Sequence, residues 1–165
     1  MEINIREYVP LDENNVYKIN KKTLEINFKS LYNIFHRNHP DLFLVAENPK
    51  NYEIVGFILV TLTKKFENKD SGLIYAIAIH PNYQGKGIGK QLIKKMRENL
   101  LKRNVHTLYL HVKESNKKAI NFYKKLGFKK LNHIKRFYSW GEGAFRMKLE
   151  LDNVNIYDNN DSIEN

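Results

Sequence analysis

The segment Ile77-Ala78-Ile79-His80-Pro81-Asn82-Tyr83-Gln84-Gly85-Lys86-Gly87-Ile88-Gly89 constrains this chain more than any other. It completes a nearly unbroken apolar run, Leu73 to Ile79, which predicts a central strand buried on both faces. Beyond the three alternating glycines, Ile88, Leu92, Ile93, Met96 and Leu100 recur at helical spacing, with Lys90, Lys94, Lys95 and Arg97 on the polar side. A strand that enters a helix through a glycine turn aims several backbone N–H groups one way at the positive helix end, with no side chains in front of them. That is an anion cradle, and Lys86 and Lys90 add charge to it. The loop has neither the Gly-Lys-Ser/Thr ending of a nucleotide P-loop nor the full Gly-x-Gly-x-x-Gly dinucleotide pattern. Taken alone, it also admits a purely structural reading, with the glycines making a tight turn.

Elsewhere Ile3 and Ile5 alternate with polar residues, predicting a first strand that ends near Tyr8 and Val9. Asp12 is placed as N-cap of a helical pattern (Val16, Ile19, Leu24, Phe28, Leu31, Ile34, Phe35) that bends near Thr23 to Asn27 and so predicts two short helices. Leu42 to Ala46 and Ile54 to Leu62 read as an antiparallel pair across a turn at Asn48 to Asn51. Thr107 to Val112 is a further strand. Ser115 is the expected N-cap of a helix through Lys125, stopped by Gly127. Strands at Phe128 to Phe137 and Ala144 to Leu151 follow. The order predicts one mixed α/β domain (α+β, mostly antiparallel sheet) over residues 1–151 and an acidic, disordered tail over 152–165.

Composition narrows the chemistry. The 165 residues contain no cysteine, which excludes a disulfide, a thiolate nucleophile or a cysteine-ligated metal, and His36, His39, His80, His106 and His133 show no metal or catalytic spacing. No apolar stretch is long enough for a signal peptide or a membrane span, so the expectation is a cytoplasmic protein without membrane or metal. The net charge is +10, and residues 1–151 carry 28 basic against 14 acidic side chains, an excess that favours anionic partners or solvated lysines without choosing between them.

Gln84-x-x-Gly87-x-Gly89 resembles the Q/R-x-x-G-x-G/A pyrophosphate loop of the GCN5-related N-acetyltransferase (GNAT) superfamily. Downstream, Asn116-x-x-Ala119-x-x-x-Tyr123-x-x-x-Gly127-Phe128 is similar to its second signature. The resemblance spans about residues 1–151 and implies the acyl-CoA N-acyltransferase fold with acetyl-CoA as cosubstrate. It implies that the backbone of Gln84, Gly85, Lys86, Gly87, Ile88, Gly89 and Lys90 holds the pyrophosphate. Pantetheine would pair along Ile77, Ala78 and Ile79 as an added strand, and Asn116 and Ala119 would flank the cofactor's other side. Tyr123 matches the tyrosine near the thioester sulfur. A phenol is neutral at pH 7, so it suits the acid that protonates the leaving thiolate.

Three more segments resemble the branch that acetylates protein N-termini, archaeal and eukaryotic enzymes and the ribosomal-protein alanine acetyltransferase (RimI) type. Leu108-Tyr109-Leu110-His111-Val112 matches a strand of the eukaryotic members whose histidine serves as base, where the RimI type has Glu, which makes His111 the base candidate on the acceptor side. Phe137-Tyr138-Ser139-Trp140-Gly141-Glu142-Gly143-Ala144 resembles Y-Y-x-x-G-E-D-A, with Phe137 lacking a hydroxyl and Gly143 replacing Asp. The resemblance makes Phe137 and Tyr138 contacts for the peptide. Thr23 to Phe28 resembles T-L-P-E-N-Y, placing Phe28 on the groove and apolar Ile26 where that loop has glutamate, which favours Met-initiated or otherwise apolar N-termini. Leu73 stands where some relatives have a second tyrosine base, so Tyr75, on the same strand face, is a substrate contact instead.

The implied function is direct transfer of acetyl from acetyl-CoA to protein N-termini, with ribosome association an open expectation and no specific nucleic-acid partner. The alternatives are acetylation of a small amine or a lysine side chain, and a non-enzymatic basic module that binds nucleic acid or CoA.

Overall fold

The structure, a computed structural model, describes residues 1–152. Seven strands, β1 (Asn4–Glu7), β2 (Phe43–Asn48), β3 (Glu53–Thr63), β4 (Ser71–Ile79), β5 (Thr107–Lys113), β6 (Lys129–Ile134) and β7 (Ala144–Glu150), form one sheet in the order β1-β2-β3-β4-β5-β7-β6. The residues divide into two compact, interleaved units, 1–61 with 74–103 and 62–73 with 104 onward, and strands β3 and β4 run from one into the other.

The first unit holds β1 (Asn4–Glu7), α1 (Glu13–Thr23), α2 (Tyr32–Asn38), β2 (Phe43–Asn48), most of β3 (Glu53–Thr63), the greater part of β4 (Ser71–Ile79) and α3 (Ile88–Lys102). β1, β2 and β3 pair antiparallel, and the expected bend between the first two helices is the Leu24–Phe28 linker. Its core is aromatic: Tyr8 stacks on Phe43 at 4.1 Å, with Tyr32 and Phe28 edge-on around them, packed with Val16, Ile19, Val45 and Phe57. Burying each such side chain contributes about 1.5–3 kcal/mol. The apolar side of α3 (Ile88, Leu92, Ile93, Met96, Leu100) is buried and the helix packs against β2. Arg103, just past its end, clamps Asp41 with two bonds of 2.6 Å.

The second unit holds the end of β3, the start of β4, β5 (Thr107–Lys113), α4 (Lys117–Lys125), β6 (Lys129–Ile134) and β7 (Ala144–Glu150). β4 and β5 are parallel, with two register pairs, Gly72 with Leu108 and Leu73 with Tyr109. β5 and β7 pair antiparallel along their whole length, and β6 edges β7.

Four local expectations are corrected. β4 is not buried on both faces: Ile74, Ala76 and Ala78 are buried, whereas Leu73, Ile77 and Ile79 are half-buried and Tyr75 is exposed. Its continuous apolarity therefore covers one packed face and one open one. Asp12 occupies the N-cap position of α1 without capping it, because its carboxylate accepts two bonds from Arg6 (2.7 and 2.9 Å) and one from the Val9 N–H. Asn116, not Ser115, caps α4 by accepting from the Ala119 N–H at 3.1 Å; the Ser115 hydroxyl donates to Glu142 instead. The strand expected through Phe137 stops at Ile134, since Arg136 turns into the left-handed region at φ 51°. Of the expected tail, Asp152 is described, its carboxylate 2.8 Å from His106, and residues 153–165 lie outside the described residues.

Candidate active site

The strand-to-helix turn of the first unit is built from backbone. After Ile79, a single 3-10 turn, Pro81–Tyr83, is held by the Tyr83 N–H donating to the His80 carbonyl and by His80 Nδ1 accepting from the Asn82 N–H at 3.2 Å. Gln84 donates from Nε2 to the Ile79 carbonyl at 3.1 Å, tying the turn to the strand end. Gly85 and Gly87 both take φ of 76°, where an L side chain is strained, and an added Cβ at either would meet open space. The turn thus presents exposed amides at the start of the 15-residue α3, whose first turn has no acidic residue. Ile88 is buried and contributes only backbone, while Lys86 lies over the Tyr83 ring at 5.0 Å and Lys90 is half-buried.

Ile77 and Ile79 sit on the open face of β4 and Ala78 on the packed one. Gly56 lets β3 come close to Ile79, since a Cβ there would lie 2.7 Å from Ile79 Cδ1 and 3.1 Å from the Ala78 carbonyl oxygen. Tyr75 packs its ring on Phe28 and Phe35, both at 5.1 Å. Phe28 itself is buried, so it acts as a wall behind Tyr75. A shallow groove of about 280 Å³ runs along α1 and the linker, lined by Tyr17, Asn20, Leu24 and half-exposed Ile26 among others.

The second unit supplies titratable side chains. Tyr123 on α4 is buried, with Phe128 edge-on at 5.5 Å, and burial pushes its phenol well above the ordinary range. It therefore holds its proton at any physiological pH. Asn116 is engaged as the α4 cap and Ala119 is half-buried in the first turn. His111 on β5 is stacked on Phe137 at 4.5 Å, and Arg146, its cross-strand partner on β7, donates from Nε to His111 Nε2 at 3.3 Å. Burial, with the Arg146 charge added, lowers the imidazole pKa to about 4, so the ring is neutral at pH 7. Tyr138 stacks on Trp140 at 4.7 Å. The loop carrying them is fastened by Glu142, which accepts from Ser115 and from the Trp140 indole, and by Glu114, which accepts from the Gly143 N–H and pairs with His133. The space in front of Gly143 is filled by that pair, 2.6 Å from His133 Nε2 for an added Cβ.

Sequence reasoning missed Arg146, Phe66, Glu67 and the Glu114–His133 pair. Phe66 packs on Tyr109 at 4.4 Å and under the Arg146 guanidinium at 4.5 Å. Glu67 accepts from the Tyr109 hydroxyl at 2.6 Å and pairs with Lys148 and Lys69; Lys148 foremost, then Tyr109, brings its pKa down to about 2. No adjacent residues signal any of these; His111 and Arg146 come opposite each other only through the register of β5 against β7.

The first unit thus carries a glycine turn that is open at the start of a helix, and the second a buried phenol and a neutral imidazole, on one mostly antiparallel sheet. The sequence model of the Acetyltransferase (GNAT) family matches residues 7–128, and the chain belongs to that family. It is 33% identical over 162 residues to the N-alpha-acetyltransferase of Sulfurisphaera tokodaii, covering 91% of this chain and 94% of that one. It is 30% identical over 148 residues to the N-alpha-acetyltransferase of Saccharolobus solfataricus, covering 85% and 88%. Among solved structures, Ard1 from Thermoplasma volcanium superposes with a TM-score of 0.81 at 26% identity, covering 91% of this chain and 98% of that one. Among the described residues, no helix is long and apolar enough to cross a membrane.

Proposed function

We propose that the protein is a cytoplasmic N-alpha-acetyltransferase, moving acetyl from acetyl-CoA to the N-terminal amine of proteins. The observation that carries the donor half is the turn at Gly85 and Gly87, two left-handed glycines with open space before them at the head of α3. Such a turn suits a pyrophosphate held by amides from Gln84 to Lys90, with Lys86 and Lys90 as countercharges. The open apolar face at Ile77 and Ile79 suits a pantetheine arm that bonds to strand backbone. The acceptor half is supported by the two relatives named for acetylating α-amines.

Acetyl-CoA supplies an acyl group activated as a thioester. The chain's residues orient the acceptor and manage protons. The unprotonated α-amine attacks the thioester carbonyl, the C–S bond breaks, and Tyr123, kept neutral by burial, protonates the departing thiolate; the nitrogen sheds one proton to water as it becomes the amide, and a proton from water restores the phenol. Without cysteine no acyl-cysteine forms, so the acetyl group passes directly in a ternary complex. For the first residues of the peptide we assign as contacts Tyr75, backed by buried Phe28, in the first unit, and Phe137, Tyr138 and His111 in the second; Asn116 and Ala119 are assigned to the donor. Ile26 favours Met or another apolar first residue. Ribosome association draws support from the +10 charge and is tested by salt-sensitive cosedimentation. The main experiment is a peptide panel varied at the first two residues, incubated with acetyl-CoA and scored for CoA release and the acetylated position. Release stoichiometric with α-acetylated peptide, fastest for Met or apolar starts, is expected; turnover of small amines alone would defeat the reading.

A further inference from the structure

His111 and Arg146 are directly opposed in the β5–β7 ladder, and Arg146 Nε lies 3.3 Å from His111 Nε2. A guanidinium only donates, so the imidazole nitrogen facing it must offer its lone pair. A neutral imidazole has one such nitrogen. The proton then resides on Nδ1, and the ring has no second lone pair with which to accept a proton from a substrate. Two aromatic rings hold this arrangement. Phe137 stacks on the imidazole at 4.5 Å, and Phe66 lies 4.5 Å under the guanidinium, a cation–π contact that keeps Arg146 aimed at the histidine. Phe66 is itself fixed against the Tyr109 ring, and the adjacent Glu67 is tied to the Tyr109 hydroxyl and to Lys148.

The charged and titratable groups around this face are few. β7 contributes Arg146 and Lys148, the segment before β4 contributes Glu67, β5 itself contributes Tyr109 and Lys113 at alternate positions, and the 137–143 loop contributes Tyr138. Glu67 is committed to Lys148, Lys69 and Tyr109. No carboxylate in this set is bonded to the ring, and Arg146 opposes its protonation.

We propose that Arg146 is a positioning residue that fixes His111 as the Nδ1–H tautomer, making the ring a hydrogen-bond donor to the acceptor substrate and not its base. The role rests on the acetyltransferase reading; the tautomer does not. The α-amine, whose ordinary pKa is about 7.7–8.0, then loses its proton to water before attack.

The test is a long-range 15N–1H correlation spectrum of the uniformly labelled full chain between pH 5.5 and 8, with no substrate added. The expected spectrum shows His111 with Nδ1 protonated and Nε2 bare throughout. Arg146→Met is expected to mix the tautomers and move the titration midpoint upward, while Arg146→Gln, a neutral donor, keeps Nδ1–H. An Nε2–H tautomer in the wild type, or nitrogen shifts unchanged in Arg146→Met, would overturn the proposal, and the wild-type spectrum alone decides it if the variants do not fold. In turnover, His111→Gln, which retains a donor, is expected to lose about tenfold or less, whereas removing a general base costs about 100-fold or more. A 100-fold loss in His111→Gln would restore the base role. Absence of any peptide acetylation would defeat the acetyltransferase reading while leaving the tautomer result legible.

Discussion

The turn after β4 and the paired face of β5 and β7 are built by opposite means. The turn uses almost no side chains: Gly85 and Gly87 adopt φ of 76° with open space where a Cβ would stand. The β5–β7 face is all side chain, an imidazole set between an arginine and two rings, with a carboxylate shared by two lysines and a tyrosine nearby. A backbone site needs only the right local conformation and tolerates varied neighbours. A side-chain site needs the correct cross-strand register, because a slip of one residue would turn His111 and Arg146 to opposite faces.

Substitutions should separate the two regions. The largest effect is expected from Tyr123→Phe, which removes the acid but keeps the ring packed on Phe128: kcat should fall about 100-fold or more with the melting temperature nearly unchanged. A wild-type rate would remove Tyr123 from the chemistry. Next is Gly87→Val, which forces a β-branched residue into the left-handed region, at a cost of about 1–2 kcal/mol in stability. It should raise the KM for acetyl-CoA about tenfold, equivalent to about 1.4 kcal/mol, while the peptide KM stays put. Gly143→Ala should do the reverse. Its Cβ must displace His133 and Glu114, 2.6 and 2.8 Å away, so the peptide KM rises and about 1 kcal/mol of stability is lost, with acetyl-CoA binding untouched. If both glycine variants raised the same KM, the division of labour would fail.

Outside turnover, the comparison extends to folding and pH. His111 has a folded pKa of about 4 against an ordinary 6.5, so the unfolded chain takes up a proton that the folded ring refuses. Stability is therefore lost as pH falls from about 6.5 towards 4. Glu67, held near 2 by Lys148 and Tyr109, acts in a lower window: its contribution is full above about 4.5 and is lost as pH falls through about 2. Urea denaturation at pH 7 and pH 5 should show a slope that flattens in His111→Leu, and a variant with an unchanged slope would assign the loss to other groups.

The contrast also explains what could be read in advance. The Gly85–Gly89 turn, the helix behind it and the paired strands before it were legible because each is written in adjacent residues: glycine alternation, helical spacing, β-branched runs. The open face of β4 was not, since Leu73, Tyr75, Ile77 and Ile79 are as apolar as a fully buried strand would be, and composition does not distinguish a packed face from one left bare. The capping error at Ser115 came from two adjacent good caps, a choice decided by Glu142, 27 positions away, which takes the serine hydroxyl. Arg146 and Glu67 escaped notice because their partners lie 35 and 81 residues off along the chain and meet only through tertiary structure.

The central claim, that the acceptor is an α-amine, is tested most directly with two matched peptides and acetyl-CoA. One has a free N-terminal Met and dimethylated lysines; the other has a blocked N-terminus and free lysines. Only the first should release CoA in step with an acetyl group located on its first residue by mass spectrometry. Equal or faster acetylation of the lysines in the blocked peptide would contradict the account.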